Sequence, residues 1–195
     1  MMMAQIQQED RLNLGAKKFN MWIFVFTSFM FFAALTSGFI VYIGGQKSGK
    51  ALDMQLPVAF VYSTAVIILS SITLYLATTA AKRLQFEKQR LFLWLTILLG
   101  VGFFALQFYA WSQLVKMGVY FINPNAAQSF IYAFTVTHLI HIVAGLVLLG
   151  LTLSASYRNK PQVKNLYNMQ MSGIFWHFVD IIWIYLYVFL LLNQH

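Results

Sequence analysis

Trp176 to Trp183 read WHFVDIIW, inside an apolar and aromatic run of about residues 172–192. About 20 apolar residues cross a 30 Å hydrocarbon core as a helix, so this stretch predicts a membrane span that carries His177 and Asp180. An Asp at bilayer depth costs roughly 2.5–3.5 kcal/mol on insertion scales, which makes an intramembrane acid a candidate functional group.

Four further runs of the same kind precede it, at about 19–43, 57–80, 91–114 and 126–154. The first follows Lys17 and Lys18 as the core of a signal peptide would, but it is too long for one and shows no small-residue cleavage site, so it is expected to remain as a span. The links, GGQKSGK and AKRLQFEKQR among them, are short. The expected fold is therefore all-α and integral to the membrane: residues 1–195 as a single membrane domain with five transmembrane helices.

Composition agrees. The 195 residues are 60% hydrophobic and only 9% charged, against about 25% charged in soluble proteins. With no cysteine, disulfides, thiolate metal sites and iron–sulfur clusters are excluded, and ligation falls to four His and five acids. The net charge of +8 does not form a nucleic-acid patch. Of thirteen basic residues, ten lie in alternate links (Arg11, Lys17, Lys18; Lys82, Arg83, Lys88, Arg90; Arg158, Lys160, Lys164), and only Lys47, Lys50 and Lys116 lie opposite. By the positive-inside rule the N-terminus is cytoplasmic and the C-terminus outside, as an odd number of spans requires.

Glu9, Asp10, Asp53 and Glu87 fall in the tail or links, and His195 ends the chain, which leaves Asp180 as the one acid within a span, with His138, His141 and His177. His138/His141 and His177/Asp180 are i, i+3 pairs, each on one helix face, and in antiparallel neighbours the two faces would meet. His177 and Asp180 lie roughly 8 and 12 Å into their span. Three chemistries are open to them: a haem held by His141 and His177, a metal site of two His and a carboxylate, or a proton relay. A two-metal carboxylate bundle needs about four acids, and no broken helix marks a transport path. The fourth reading is structural: polar groups that satisfy one another and fasten helices. Ala133, Thr137, His141 and Gly145 form an i, i+4 row suited to close helix contact, and Ser70–Thr73 give the second helix a polar seam. Trp22, Trp94, Trp111 and Tyr120 stand near span ends, as interfacial aromatics do.

The stretches together resemble subunit III of the haem–copper oxidases, the cytochrome c oxidase family. TVTHLIHIVAG is similar to the family pattern T-G-F-H-G-x-H-V-x-x-G at Thr135, His138, His141 and Gly145. WHFVDIIWIYLY is similar to W-H-F-V-D-x-x-W-x-x-L-Y at Trp176, His177, Phe178, Val179, Asp180, Trp183, Leu186 and Tyr187. LSSIT and LTILLG…Q fit two preceding family helices more loosely, at Ser70, Ser71, Thr73, Leu98, Gly100 and Gln107. The likeness extends over nearly the whole chain and matches the five-helix bacterial form.

The resemblance implies a non-catalytic subunit of an aa3-type terminal oxidase of aerobic respiration, in a complex that reduces oxygen to water and pumps protons. The chain itself would hold no haem, copper or catalytic residue. It would pack on catalytic subunit I beside subunits II and IV, hold phospholipid, support proton uptake and sustained activity, and sit in the bacterial inner membrane, with a larger respiratory supercomplex as a further assembly. The candidates for helix packing and lipid contact are Ser70, Ser71, Thr73, Gln107, Thr135, His138, His141, Gly145, Trp176, His177, Asp180 and Trp183. Subunit III of a quinol oxidase is the alternative; a small haem-binding electron carrier using His141 and His177, or a scaffold of another complex, is of a different class. Where the family commonly has Q-x-x-E-Y this chain reads QFYAW, with Ala110 for the acid, and the second span lacks a carboxylate, so roles tied to those acids do not transfer.

Overall fold

The structure, a computed structural model, describes residues 2–45, 52, 54–122, 125–158 and 162–194; the side chains of residues 2–13 are not described. Asp53, His195, Lys47, Lys50 and Lys160 lie outside the described residues, as do the side chains of Glu9, Asp10 and Arg11.

Among the described residues there are five helices and no strand: α1 (Met2–Gly44), α2 (Ala59–Lys82), α3 (Phe86–Lys116), α4 (Ala126–Tyr157) and α5 (Gln162–Leu192). All five are long and apolar enough to cross a membrane. Each outlasts the predicted span at one end or both, because hydropathy marks where lipid begins and not where the backbone hydrogen-bond ladder stops. The largest excess is at α1, which begins at Met2, and the next at α5, whose first turns from Gln162 precede the apolar run.

The helix ends have local causes. Asn125 caps α4, its side chain accepting from Ala127 N at 3.0 Å. Gly118 follows α3 with φ +80°, and Val119 N bonds Leu114 O at 3.0 Å, a left-handed cap that suits glycine. The end of α2 has the same bonding, Gln85 N to Ala80 O at 3.0 Å, but places Leu84 at φ 58°.

Neighbouring helices pack in the closed order α2–α3–α4–α5–α2, and α1 lies outside this ring against α4 and α5. Its buried stripe, Ser28, Phe32, Thr36 and Phe39, faces them, with Thr36 and Tyr185 sharing a hydrogen bond at 2.9 Å. The bundle places hydroxyls and amides inside (Ser63, Ser70, Thr73, Thr96, Gln107, Thr135) and leaves Ile, Leu, Phe and Val on the outer faces. Lipid supplies no hydrophobic drive between helices, so contact rests on van der Waals fit and interhelical hydrogen bonds. Apolar side chains such as Phe60, Ile67 and Phe103 fill the interior as well, so the polar groups are what distinguish the inward faces from the outward ones.

Candidate functional site

The α5 stretch quoted at the outset turns its two tryptophans into the centre of the four-helix ring. Trp176 and Trp183 are seven residues apart, nearly in line on one helix face, and both point inward, 0% and 1% exposed. Each indole donates to α2: Trp176 Nε1 to Ser70 Oγ at 3.0 Å and Trp183 Nε1 to Thr64 Oγ1 at 3.0 Å.

Glycine makes room for the first. A Cβ on Gly145 of α4 would stand 2.8 Å from Trp176 Cε3, and one on Gly100 of α3 would stand 2.8 Å from both Trp176 Cη2 and Leu146 Cδ2. Trp176 thus fills a notch bounded by two bare backbones. Around the second tryptophan every ring helix contributes an aromatic: Phe60 of α2 stacks at 5.9 Å, Phe103 of α3 stands edge-on at 4.9 Å, and His138 of α4 lies tilted at 4.9 Å.

Polar pairs tie the remaining candidates to their neighbours. Thr73 shares a hydrogen bond with Thr96 at 2.8 Å, Gln107 Nε2 donates to Ser63 Oγ at 3.2 Å, and Trp111 Nε1 donates to Thr135 Oγ1 at 3.0 Å. Trp111 is half-buried through that bond and its contact with Tyr132, so it is a packing residue as well as a residue near a span end; Trp22, Trp94 and Tyr120 are exposed.

The two i, i+3 pairs take different surroundings, contrary to the expectation that their faces meet. His141 turns to α1, with Nε2 3.3 Å from Ser28 Oγ and Nδ1 2.8 Å from its own Thr137 carbonyl. His177 turns to α2 on the opposite side of α5, its Nδ1 bonded to Ser71 Oγ at 2.7 Å. Asp180 Oδ2 stands 3.8 Å from that same Nδ1, and neither carboxylate oxygen has a hydrogen-bond partner. Even within one pair the partners diverge: His138 is fully buried, both ring nitrogens unpartnered, between Phe103 and Trp183. The i, i+4 row divides too, since Gly145 meets Trp176 of α5 while His141 meets α1. A glycine that looked like a helix–helix contact is instead a seat for an indole.

His141 and His177 are therefore not poised as two axial ligands of one haem, because α1 and α2 lie on different sides of the α4/α5 pair. Among the described residues no group of three His, Cys, Asp or Glu could hold a metal ion. Several residues of the arrangement, Phe103, Ser63, Thr64, Thr96 and Ser28, were not singled out by sequence. Single hydroxyls in apolar runs carry no periodic signal, although a hydroxyl on a lipid-embedded helix is itself a hint of an inward face.

The model of the family described as cytochrome c oxidase subunit III matches residues 10–193. The chain belongs to that family. It is 30% identical over 179 residues to cytochrome c oxidase subunit 3 of Bacillus sp. strain PS3, covering 89% of this chain and 84% of that protein. It is also 27% identical over 175 residues to the cytochrome bo(3) ubiquinol oxidase subunit 3 of Pseudomonas aeruginosa (87% and 81% covered). A probable quinol oxidase subunit 3 of Staphylococcus saprophyticus is 28% identical over 192 residues (94% and 90%). This subunit III is thus a multi-pass bacterial membrane protein of a haem–copper oxidase, an oxidoreductase complex.

Proposed function

We propose that this subunit III serves an aa3-type terminal oxidase in the bacterial inner membrane as a non-catalytic, single-domain partner packed on catalytic subunit I. The chemistry of the complex, oxygen reduction to water with proton pumping, is carried by haem and copper in its partners. The observation that supports this reading is the use of the α5 stretch: Trp176 and Trp183 are spent on locking α5 to α2, α3 and α4, which is the work of a scaffold. The excess of basic residues in alternate links supports a cytoplasmic N-terminus. Subunits II and IV and a respiratory supercomplex complete the assembly.

Phospholipid suits the flank where α1 meets α4 and α5. A groove of about 460 Å³ between α1, α4 and α5 is lined by Phe24, Ala144 and Phe175, with Lys17 and Asn20 at one end. A second, of about 340 Å³, continues from Phe24 and Ala144 to Ser28 and His141. An apolar trough with a cation at its mouth suits acyl chains below an anionic headgroup. Lipid held there braces α1 and helps sustain proton uptake and turnover by the complex.

A quinol oxidase is the second reading, favoured by the two quinol oxidase relatives above. Affinity purification of the tagged chain from native membranes in mild detergent tests both. Oxygen uptake driven by reduced cytochrome c and insensitive to added quinol supports the first; uptake driven by quinol alone supports the second. Co-purification only of subunits that hold no haem or copper would sink both.

A further inference from the structure

The outer seam between α2 and α5 carries one polar feature that nothing among the described residues satisfies. His177 is 37% exposed at its side chain, on the surface of the bundle and roughly 8 Å inside the apolar run. Its Nδ1 is taken by Ser71 Oγ at 2.7 Å. Whichever tautomer it adopts, Nε2 is left as a hydrogen-bonding group with no partner among the described residues: a donor if Ser71 donates to Nδ1, an acceptor if Nδ1 donates to Ser71. Behind it lies the 5% exposed Asp180 carboxyl, whose oxygens have no hydrogen-bond partner either. The flanking surface is mostly apolar. Ile68 of α2, one turn from Ser71, is 43% exposed and Ile181, one turn beyond His177, is 65% exposed, while Tyr75, one turn to the other side of Ser71 and 66% exposed, presents a ring with a hydroxyl tip.

Acyl chains suit the isoleucines but not the imidazole. An unsatisfied polar group in hydrocarbon costs several kcal/mol, and an imidazole is too short to reach across about 8 Å to the interface. On the other ring helices the exposed mid-span side chains are apolar (Leu95, Leu98 and Val101 of α3; Ile140, Val143 and Val147 of α4), and the exposed polar tips of α3, Trp94 and Tyr109, belong to aromatics suited to the interface, Tyr109 Oη accepting from Gln113 Nε2 at 2.8 Å. We infer that the α2/α5 seam centred on His177 and Ser71 is a docking face for one transmembrane helix of the oxidase's catalytic subunit. That helix presents a hydroxyl, amide or free carbonyl to His177 Nε2 and an apolar surface to Ile68 and Ile181. Lipid covers α3 and the outer side of α4. The inference rests on the proposed membership in an oxidase complex and adds which side of the bundle faces the partner.

Photo-crosslinking in the intact complex tests it. A benzophenone amino acid is placed at Ile68 or Ile181 on the seam, and at Leu98 of α3 or Val147 of α4 as controls, and the tagged complex is irradiated in native membranes. The expected result is a crosslink from both seam positions to a haem-bearing subunit, identified by mass spectrometry, and lipid adducts from the controls. Seam crosslinks to lipid only, or subunit crosslinks confined to α3 or α4, overturn the docking face while leaving the chain an oxidase subunit. Absence of any haem-bearing subunit from the purified material overturns the membership on which the inference rests, and the inference with it. His177 gives a second readout: His177→Leu is expected to lower retention of the chain at least threefold during washes in a harsher detergent, and His177→Gln, which keeps a hydrogen-bonding tip, to restore most of it. Equal retention of both variants removes the polar contact.

Discussion

Trp176 occupies the space that a side chain on Gly145 would need: a Cβ there would stand 2.8 Å from Cε3 of the indole. The fit joins α4 to α5 without a single hydrogen bond between the two residues, while the indole N–H is spent on Ser70 of α2. Since lipid provides no hydrophobic drive, such steric fit carries much of the helix association.

Gly145→Ala is therefore expected to destabilise the bundle by about 1–3 kcal/mol through overpacking. Gly100→Ala, whose Cβ would also meet Trp176 at 2.8 Å, is expected to cost a similar amount. Thermal inactivation and detergent-unfolding midpoints of the purified complex measure both. Trp176→Phe should restore part of the loss in either background, and a variant of unchanged midpoint counts against the notch.

Leu84 is expected to be better as glycine. It sits at φ 58° in the turn between α2 and α3, 59% exposed, and a left-handed backbone costs a bulky L-residue roughly 1–2 kcal/mol. Glycine's greater freedom in the unfolded chain offsets part of that. Leu84→Gly should stabilise the bundle by about 0.5–1 kcal/mol, read as a higher unfolding midpoint, and a lower midpoint would show that the Leu84 side chain makes a contact of larger value.

The reciprocal amides of Gln89 and Asn165, each donating to the other at 3.1 Å, bind the start of α3 to the start of α5. Both residues are buried, at 0% and 3% exposed. Gln89→Leu strands the Asn165 amide, with an expected cost of about 1–3 kcal/mol. Adding Asn165→Leu should recover much of it, because no orphaned group is left. A double variant worse than the sum of the singles contradicts this pairing.

His138 is the polar residue expected to be most easily dispensed with. Its ring is packed by Trp183 and Phe103 and its nitrogens bond nothing, so His138→Phe keeps the ring contacts and removes an unsatisfied polar pair. Subunit retention and the haem bands of the complex should be unchanged. Loss of the haem bands with all subunits present would make His138 part of a redox site.

The five helices were legible because each apolar run is long and the charges fall in the links. Where α5 starts was not, since Gln162 to Gln170 mix Gln, Lys and Asn with Val, Leu, Tyr and Met yet are helical, and no breaker stands among them. The site was half legible. Trp176 and Trp183 were candidates through the family motif alone, and that both point inward comes from the packing of α5. Three-residue spacing misled at His138 and His141: at about 3.6 residues per turn the two differ by roughly 60° around the axis, enough to place one inside the ring and the other against α1. Spacing fixes a face of its own helix, whereas the neighbour that fills it depends on how the helices pack. The role of Gly145 was hidden for the same reason, because the side chain that claims its space lies on another helix.

The measurement that bears most directly on the central claim is a reduced-minus-oxidised visible spectrum, recorded with oxygen uptake, of the tagged chain purified from native membranes before and after it is separated from its partners. Haem bands and oxygen reduction should co-purify with the chain and be absent from it once separated. Haem that stays with the isolated chain would make His141 or His177 a ligand and contradict the account.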